Sequence, residues 1–315
     1  GDWSSAVCSS DLGGVPDEAC LADLRNGLCA TAMDYAFVTD HPTHAAFQNY
    51  VDLLLARGSD AVVEGVANRM QCENGQQILL MPGIEDELMP VGLERQVSDD
   101  PAENDRIYNN SDAEAIAADM AAGAIVLQAH TESKSEADLL ERQAHGLSGV
   151  EIFNLHAMLD PDIRKDYLGL EPMGYLSSTA PFLDPASTIP PDFGFLAIFQ
   201  EQPISLEKWT MLSENAPMTA TAGTDAHQNV LPGPLADGER FDSYRRMIGL
   251  FSNVLLVEGE GPGAYKDALR AGRNYVIFEI LGTPDNLDVS YGDLEAGGTA
   301  RSEEHTSELQ SPCNL

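Results

Sequence analysis

The chain is short of positive charge. Its 315 residues hold 17 Lys and Arg against 51 Asp and Glu, a formal charge of −34. That balance excludes a protein that grips a nucleic-acid backbone by neutralising phosphates, and with it a strand-tracking nuclease. Long apolar runs are lacking too: none approaches the ~18 residues that a membrane-spanning helix needs. No signal-peptide pattern opens the chain. Five Cys without paired spacing do not read as a disulfide framework or a zinc knuckle. Lys is scarce, with four residues among many acids, which is compatible with a saline source. What is present, 43% apolar residues over this length, can fill a core and suits one large α/β barrel or two medium domains.

The two ends read as foreign to the rest. One back-translation of Arg301–Ser311 has a reverse complement that encodes Asp2–Leu12 with a single change, at Ala6. The shared oligonucleotide resembles a sequencing adapter. The expectation is a gene fragment, as from a metagenome, read through adapter over residues 1–12 and 301–315. About 288 residues with a charge of about −30 then remain. The missing signal peptide loses its meaning, and Cys20, Cys29 and Cys72 are left as small, buried or half-buried side chains.

Apolar periodicity predicts a helix over 16–32, with Leu21, Leu24 and Leu28 on one face, and a strand over 35–39. Helices broken near Gly58 are expected over 43–70, and a strand over 77–81. An exposed loop should cover 96–111, and a helix capped by Ser111 should cover 112–122. Then come strand 124–127, helix 136–145 and strand 150–153, followed by an irregular insertion over 171–204. Helix 205–215 and strand 219–222 lead to a final series: helix 242–251, strand 254–257, helix 265–271, and strands 275–278 and 287–290. Alternation of strand and helix indicates parallel βαβ units.

The chemistry sits at strand ends. Five apolar runs are followed in turn by Asp40-His41, by Glu85, by His130, by Asn154 with His156, and by Asp225 with His227. In a β/α barrel such ends converge on one face. Mixed imidazole and carboxylate donors suit Zn, Fe or Mn. Asp225 and His227, two residues apart beyond a strand, can share a direction.

Five segments, Thr39–His41, Gly83–Glu85, Ala129-His130, Glu151–Asn154 and Gly223–His227, resemble the later motifs of the PHP (polymerase and histidinol phosphatase) family. The resemblance runs over roughly residues 13–280 and is most specific at Thr-Asp-His and Gly-Thr-Asp-Ala-His. It implies a distorted, TIM-like (β/α)7 barrel with two or three divalent ions (Mn, Zn or Fe) and hydrolysis, most often of phosphoesters. Residues 281–300 would begin a small C-terminal β segment, cut short.

The family's first motif, a His-x-His, is absent. It belongs just before Gly13, so the first strand is expected to be lost by truncation, leaving an open edge and an impaired site. His130-Thr131 stands where the family has His-Pro.

By the resemblance, Glu85 would bridge two metals, His130 would join one, and Asp225 would bind the metal shared with the lost His pair. His41 and His227 would hold a third, and Asn154 or His156 would supply a further ligand. Asp40 would orient a ligand from behind. Catalysis would then rest on Glu85, Asp225 and Asp40, with hydroxide held by the metals attacking phosphorus.

Lys134 is a candidate contact for a small anionic substrate. Otherwise the metals must supply the attraction, because the surface is acidic. Alternatives are amide or carbamate hydrolysis at the same site, or a non-catalytic metal-stabilised binding module.

Other residues read as structural. His44 opens a helix and His145 closes one. Glu87 and Glu94 lie on the rim. Phe193, Phe195, Phe199, Met211 and Met218 read as core.

Overall fold

In the computed structural model, residues 17–228, 230–231 and 233–284 are described. The adapter-like ends and the strand expected over 287–290 lie outside them, as does most of the expected C-terminal β segment. The strands are β1 (Tyr35–Asp40), β2 (Ala61–Val63), β3 (Ala67–Gln71), β4 (Gln77–Ile84), β5 (Met89–Val91), β6 (Ile125–Gln128), β7 (Gly149–Asn154), β8 (Thr219–Gly223), β9 (Ser252–Leu255) and β10 (Asn274–Ile277). Eight of them form one mixed sheet in the order β2-β3-β4-β5-β6-β7-β8, with β1 on β4; β9 and β10 form a separate antiparallel pair.

The pairs β1–β4, β6–β7 and β7–β8 are parallel, as βαβ units require. The antiparallel pairs were not expected. Residues 61–71 form a hairpin rather than a helix. Within the three-residue connection, Glu64 and Gly65 have positive φ (55° and 77°) and the Val66 N–H closes on the Val63 carbonyl, a turn that suits the twist of a hairpin. β-Branched Val62 and Val63 favour extended backbone there, and only the short helices Pro42–Ala45 and Tyr50–Leu53 remain of the helices expected over 43–70.

The expected loop over 96–111 contains the helix Pro101–Tyr108. Asp100 caps it, accepting from the Ala102 N–H, and Pro101 stands at its first position, where a missing N–H costs nothing. The next helix, Ala113–Ala121, is capped by Asp112 rather than Ser111. The Ser111 hydroxyl instead accepts from Arg142. The helix Glu18–Cys29 forms as its leucines predict: Leu21, Leu24 and Leu28 are buried against Tyr244, Met247 and Phe251. In the insertion, Phe195 stacks on Phe241 and Phe199 meets Phe153 edge-on, while Phe193 is exposed.

Cys29 and Cys72 form a disulfide with a Cα–Cα distance of 5.6 Å, against the expectation of unpaired thiols. A separation of 43 residues carries no local signal of pairing. The bond ties the end of the first helix to the β3–β4 turn. No described helix is long and apolar enough to cross a membrane.

The sheet is open, not a closed barrel. Among the described residues β1 bonds only β4, and β8 bonds only β7. Between them lies a cavity of about 230 Å³ lined by Tyr35–His41 and Thr221–His227 without a break. Successive strand residues point to opposite faces, so an unbroken lining runs along strand edges. All six β1 residues are half-buried, as an uncovered edge leaves them. The pair β9–β10 fills part of the gap. Asn253 accepts from the Ala222 N–H at 2.9 Å and donates to its carbonyl at 2.8 Å, and Asn274 donates to the Ala220 carbonyl. Tyr35 donates to the Asn253 carbonyl from the β1 side.

Candidate metal centre

The strand ends converge as the sequence implies. Beyond β4, Glu85 accepts from the Thr39 hydroxyl at 3.1 Å, and its N–H donates to the Asp40 carbonyl. Beyond β1, Asp40 accepts from the His41 N–H at 2.8 Å. His41 Nδ1 lies 2.9 Å from the Glu85 carbonyl, and its ring stacks on His227 with centroids 5.6 Å apart.

Beyond β6, His130 is left-handed at φ 47° and ψ 51°, a conformation that costs a non-glycine residue about 1 kcal/mol. It aims Nε2 at Glu85 Oε1 (3.7 Å) and Asp225 Oδ2 (3.6 Å). Nδ1 faces Glu132 Oε1 at 3.4 Å. Beyond β7, His156 Nδ1 lies 3.4 Å from Asp225 Oδ2; beyond β8, His227 Nδ1 lies 3.0 Å from Asp225 Oδ1.

Two triplets result, Glu85–His130–Asp225 and His156–Asp225–His227, each with ligand atoms within 4.8 Å of one another. Asp225 belongs to both. Glu85, expected from the resemblance to bridge two metals, belongs to one triplet only. His41 stands beside the second triplet, in ring contact with His227.

Asn154 is not turned as a ligand. Its side-chain oxygen accepts from the Ala157 N–H, and its amide donates to Glu151 (3.1 Å) and Asp225 (3.4 Å). Gln202 holds its backbone from both sides. Of the two, His156 is the one whose ring belongs to a triplet. Lys134, the candidate substrate contact, is paired: its Nζ is 3.0 Å from Glu87, which Arg142 also approaches. Glu94 is bonded to buried Lys266. His145 ends its helix before a left-handed Gly146, as expected. Met218 is buried and Met211 half-buried.

Two further acids stand beside His130. Glu151, buried on β7, accepts from the His130 N–H at 3.2 Å. Glu132 follows His130 by two residues, the same spacing that marked Asp225 and His227. Lys208 fixes the Glu132 segment by donating to the carbonyls of Thr131, Glu132 and Lys134.

The charges are unbalanced. Asp40, Glu85, Glu151 and Asp225 line one cavity that, among the described residues, no Lys or Arg lines. Burial pushes Asp40 up to about 7 and Glu151 up to about 8. It also raises Glu85, helped by the Asp225 charge. For Asp225 burial acts upward, but His156, His227 and His130 hold it far below the usual carboxylate range. Burial lowers His130, yet Glu132, Asp225, Glu151 and Glu85 outweigh it and lift the ring to about 10. Burial also opposes protonation of His156, which Asp225 raises overall, and it pulls His227 down.

Among the described residues, His130 Nδ1, Glu132 Oε1 and His227 Nδ1 are buried without a hydrogen-bond partner. Buried carboxylates short of positive charge, beside imidazoles short of partners, are the chemistry of a divalent-cation site. No family model, curated protein or solved structure matches the chain.

Proposed function

We propose that the chain is a metal-dependent hydrolase of the PHP type, with a two-ion core in which Asp225 is the shared ligand. The observation that carries this reading is the pair of triplets meeting at Asp225, built from four strand ends. Glu85 and His130 would hold one ion, and His156 and His227 the other. His41 stands ready beside the second. The open gap between β1 and β8 supports the barrel reading, since a strand laid there would close the sheet in place of the Asn253 and Asn274 side chains now bonded to Ala220 and Ala222. When bound, the ions supply Lewis-acid polarisation of the substrate and a lowered pKa for water. The chain's own residues bind and orient: Glu132 faces the Nδ1 side of His130, and Asn154 donates to Asp225.

Phosphoester hydrolysis is the first assignment. With no Lys or Arg among the described residues lining the cavity, a phosphate there would rest on the ions. The same feature favours a second reading, hydrolysis of an uncharged carbamate or amide. Protein stripped and reloaded with Mn²⁺ or Zn²⁺, assayed on p-nitrophenyl phosphate and on a nitrophenyl carbamate, separates the two. No metal retained on gel filtration would refute both. Two triplets set the expected content at no more than two ions per chain by elemental analysis, and three tightly held ions would contradict the geometry.

A further inference from the structure

Glu151 lies below the ligand ends, on β7, and offers no atom to either triplet. Its Oε2 instead accepts from the His130 N–H at 3.2 Å and from the Asn154 amide at 3.1 Å. Those two donors lead to opposite sides of the centre. The His130 N–H belongs to the left-handed residue whose Nε2 faces Glu85 and Asp225. The Asn154 amide also donates to Asp225 Oδ2. Room for the carboxylate comes from β8: a Cβ on Gly223 would lie 2.0 Å from Glu151 Oε1, so any side chain at 223 would displace it.

We propose that Glu151 is a positioning residue for the metal centre, with Gly223 as its required neighbour. One buried carboxylate fixes both the unfavourable turn that aims His130 and the amide that steadies the shared Asp225. Its place on a strand makes the support rigid, whereas the His130 segment is a turn. This inference rests on the metal reading above.

The test is Co²⁺ binding to the metal-stripped chain, followed by ligand-field absorption and by titration, with the thermal midpoint of the metal-free protein measured alongside. Glu151→Ala is expected to weaken Co²⁺ binding about 10- to 100-fold, the usual loss when a group supporting a ligand is removed, and to change the visible spectrum. Glu151→Gln, which keeps an acceptor oxygen, should recover most of the affinity. Gly223→Ala leaves every polar side chain in place and displaces only the Glu151 carboxylate. It should reproduce the Glu151→Ala spectrum even if Glu151→Ala itself fails to fold. A spectrum and affinity equal to the parent's in Glu151→Ala or Gly223→Ala would overturn the inference while leaving the metal reading intact. A parent chain that binds no Co²⁺ would overturn both.

Discussion

Three buried groups of the proposed metal centre hold their protons above the usual pH range, and the stability of the metal-free chain should depend on pH accordingly. Asp40 is raised to about 7, Glu151 to about 8 and His130 to about 10. Their unfolded values lie near 3.9, 4.3 and 6.5. Each group therefore keeps its proton in the folded chain at a pH where the unfolded chain has released it. For His130 the stabilisation is complete below about 6.5 and is lost as pH rises through about 10. For the two acids the penalty begins near pH 4 and grows until the folded group ionises.

All three contributions have the same sign. Between pH 7 and 8, Glu151 and His130 alone leave the folded chain with an excess of roughly 1.6 protons. Stability then falls by roughly 2 kcal/mol per pH unit. His227, pushed down, acts in the opposite sense, but below its unfolded value of about 6.5. Asp119, buried on the helix Ala113–Ala121 and raised to about 8 by burial alone, adds a third proton unrelated to the centre, so Asp119→Asn is the background to use.

The assay is urea unfolding of the chelator-stripped protein at pH 7, 7.5 and 8, repeated with saturating Mn²⁺. The metal-free slope should be steep and downward. Ions that displace the protons should flatten it. A flat or rising metal-free profile, or a slope that Mn²⁺ leaves unchanged, would refute the electrostatic account.

Other outcomes follow from the same geometry. Asp225→Asn removes the charge common to both triplets, and elemental analysis should show both ions lost together; retention of one would mean that Asp225 is not shared. Glu132→Ala should weaken metal binding about tenfold by removing the carboxylate that faces His130 Nδ1 at 3.4 Å, measurable by competition with a chromogenic chelator. Replacing Cys29 and Cys72 by Ser should cost about 2–4 kcal/mol of unfolding free energy, since the bond closes a long loop; equal stability of the variant under oxidising conditions would count against the bond.

The legible part of the site was local. An apolar run ending in Asp40-His41, Glu85, His130, or Asp225 and His227 declares both a strand and its reactive end within a few residues. Residues that act across the sheet gave no such sign. Glu151 sits inside a strand, where its one-residue neighbours show only alternation, and its partners are 21 and 3 residues away. The ligand or supporting role of Asn154 depends on which way its amide faces, which Ala157 and Glu151 decide together. The fold is not legible where apolar residues are compatible with two periods: Val62 and Val63 fit a helix as well as a strand, and only the Glu64-Gly65 turn distinguishes them. Pro101 read as a loop marker because a helix start uses the same residue.

The bare edges of β1 and β8 have a bearing on how the protein behaves in bulk solution. Unpaired backbone along a strand is a template for another chain, and Asn253 and Asn274 cover only the Ala220 and Ala222 part of one edge. What keeps molecules apart at low ionic strength is mutual repulsion at a formal charge of −34. Salt shortens the reach of that repulsion from about 30 Å at 0.01 M to about 10 Å at 0.1 M. Concentrated samples should therefore stay dispersed in dilute buffer and associate edge to edge as salt is added, the reverse of a protein held together by ion pairs.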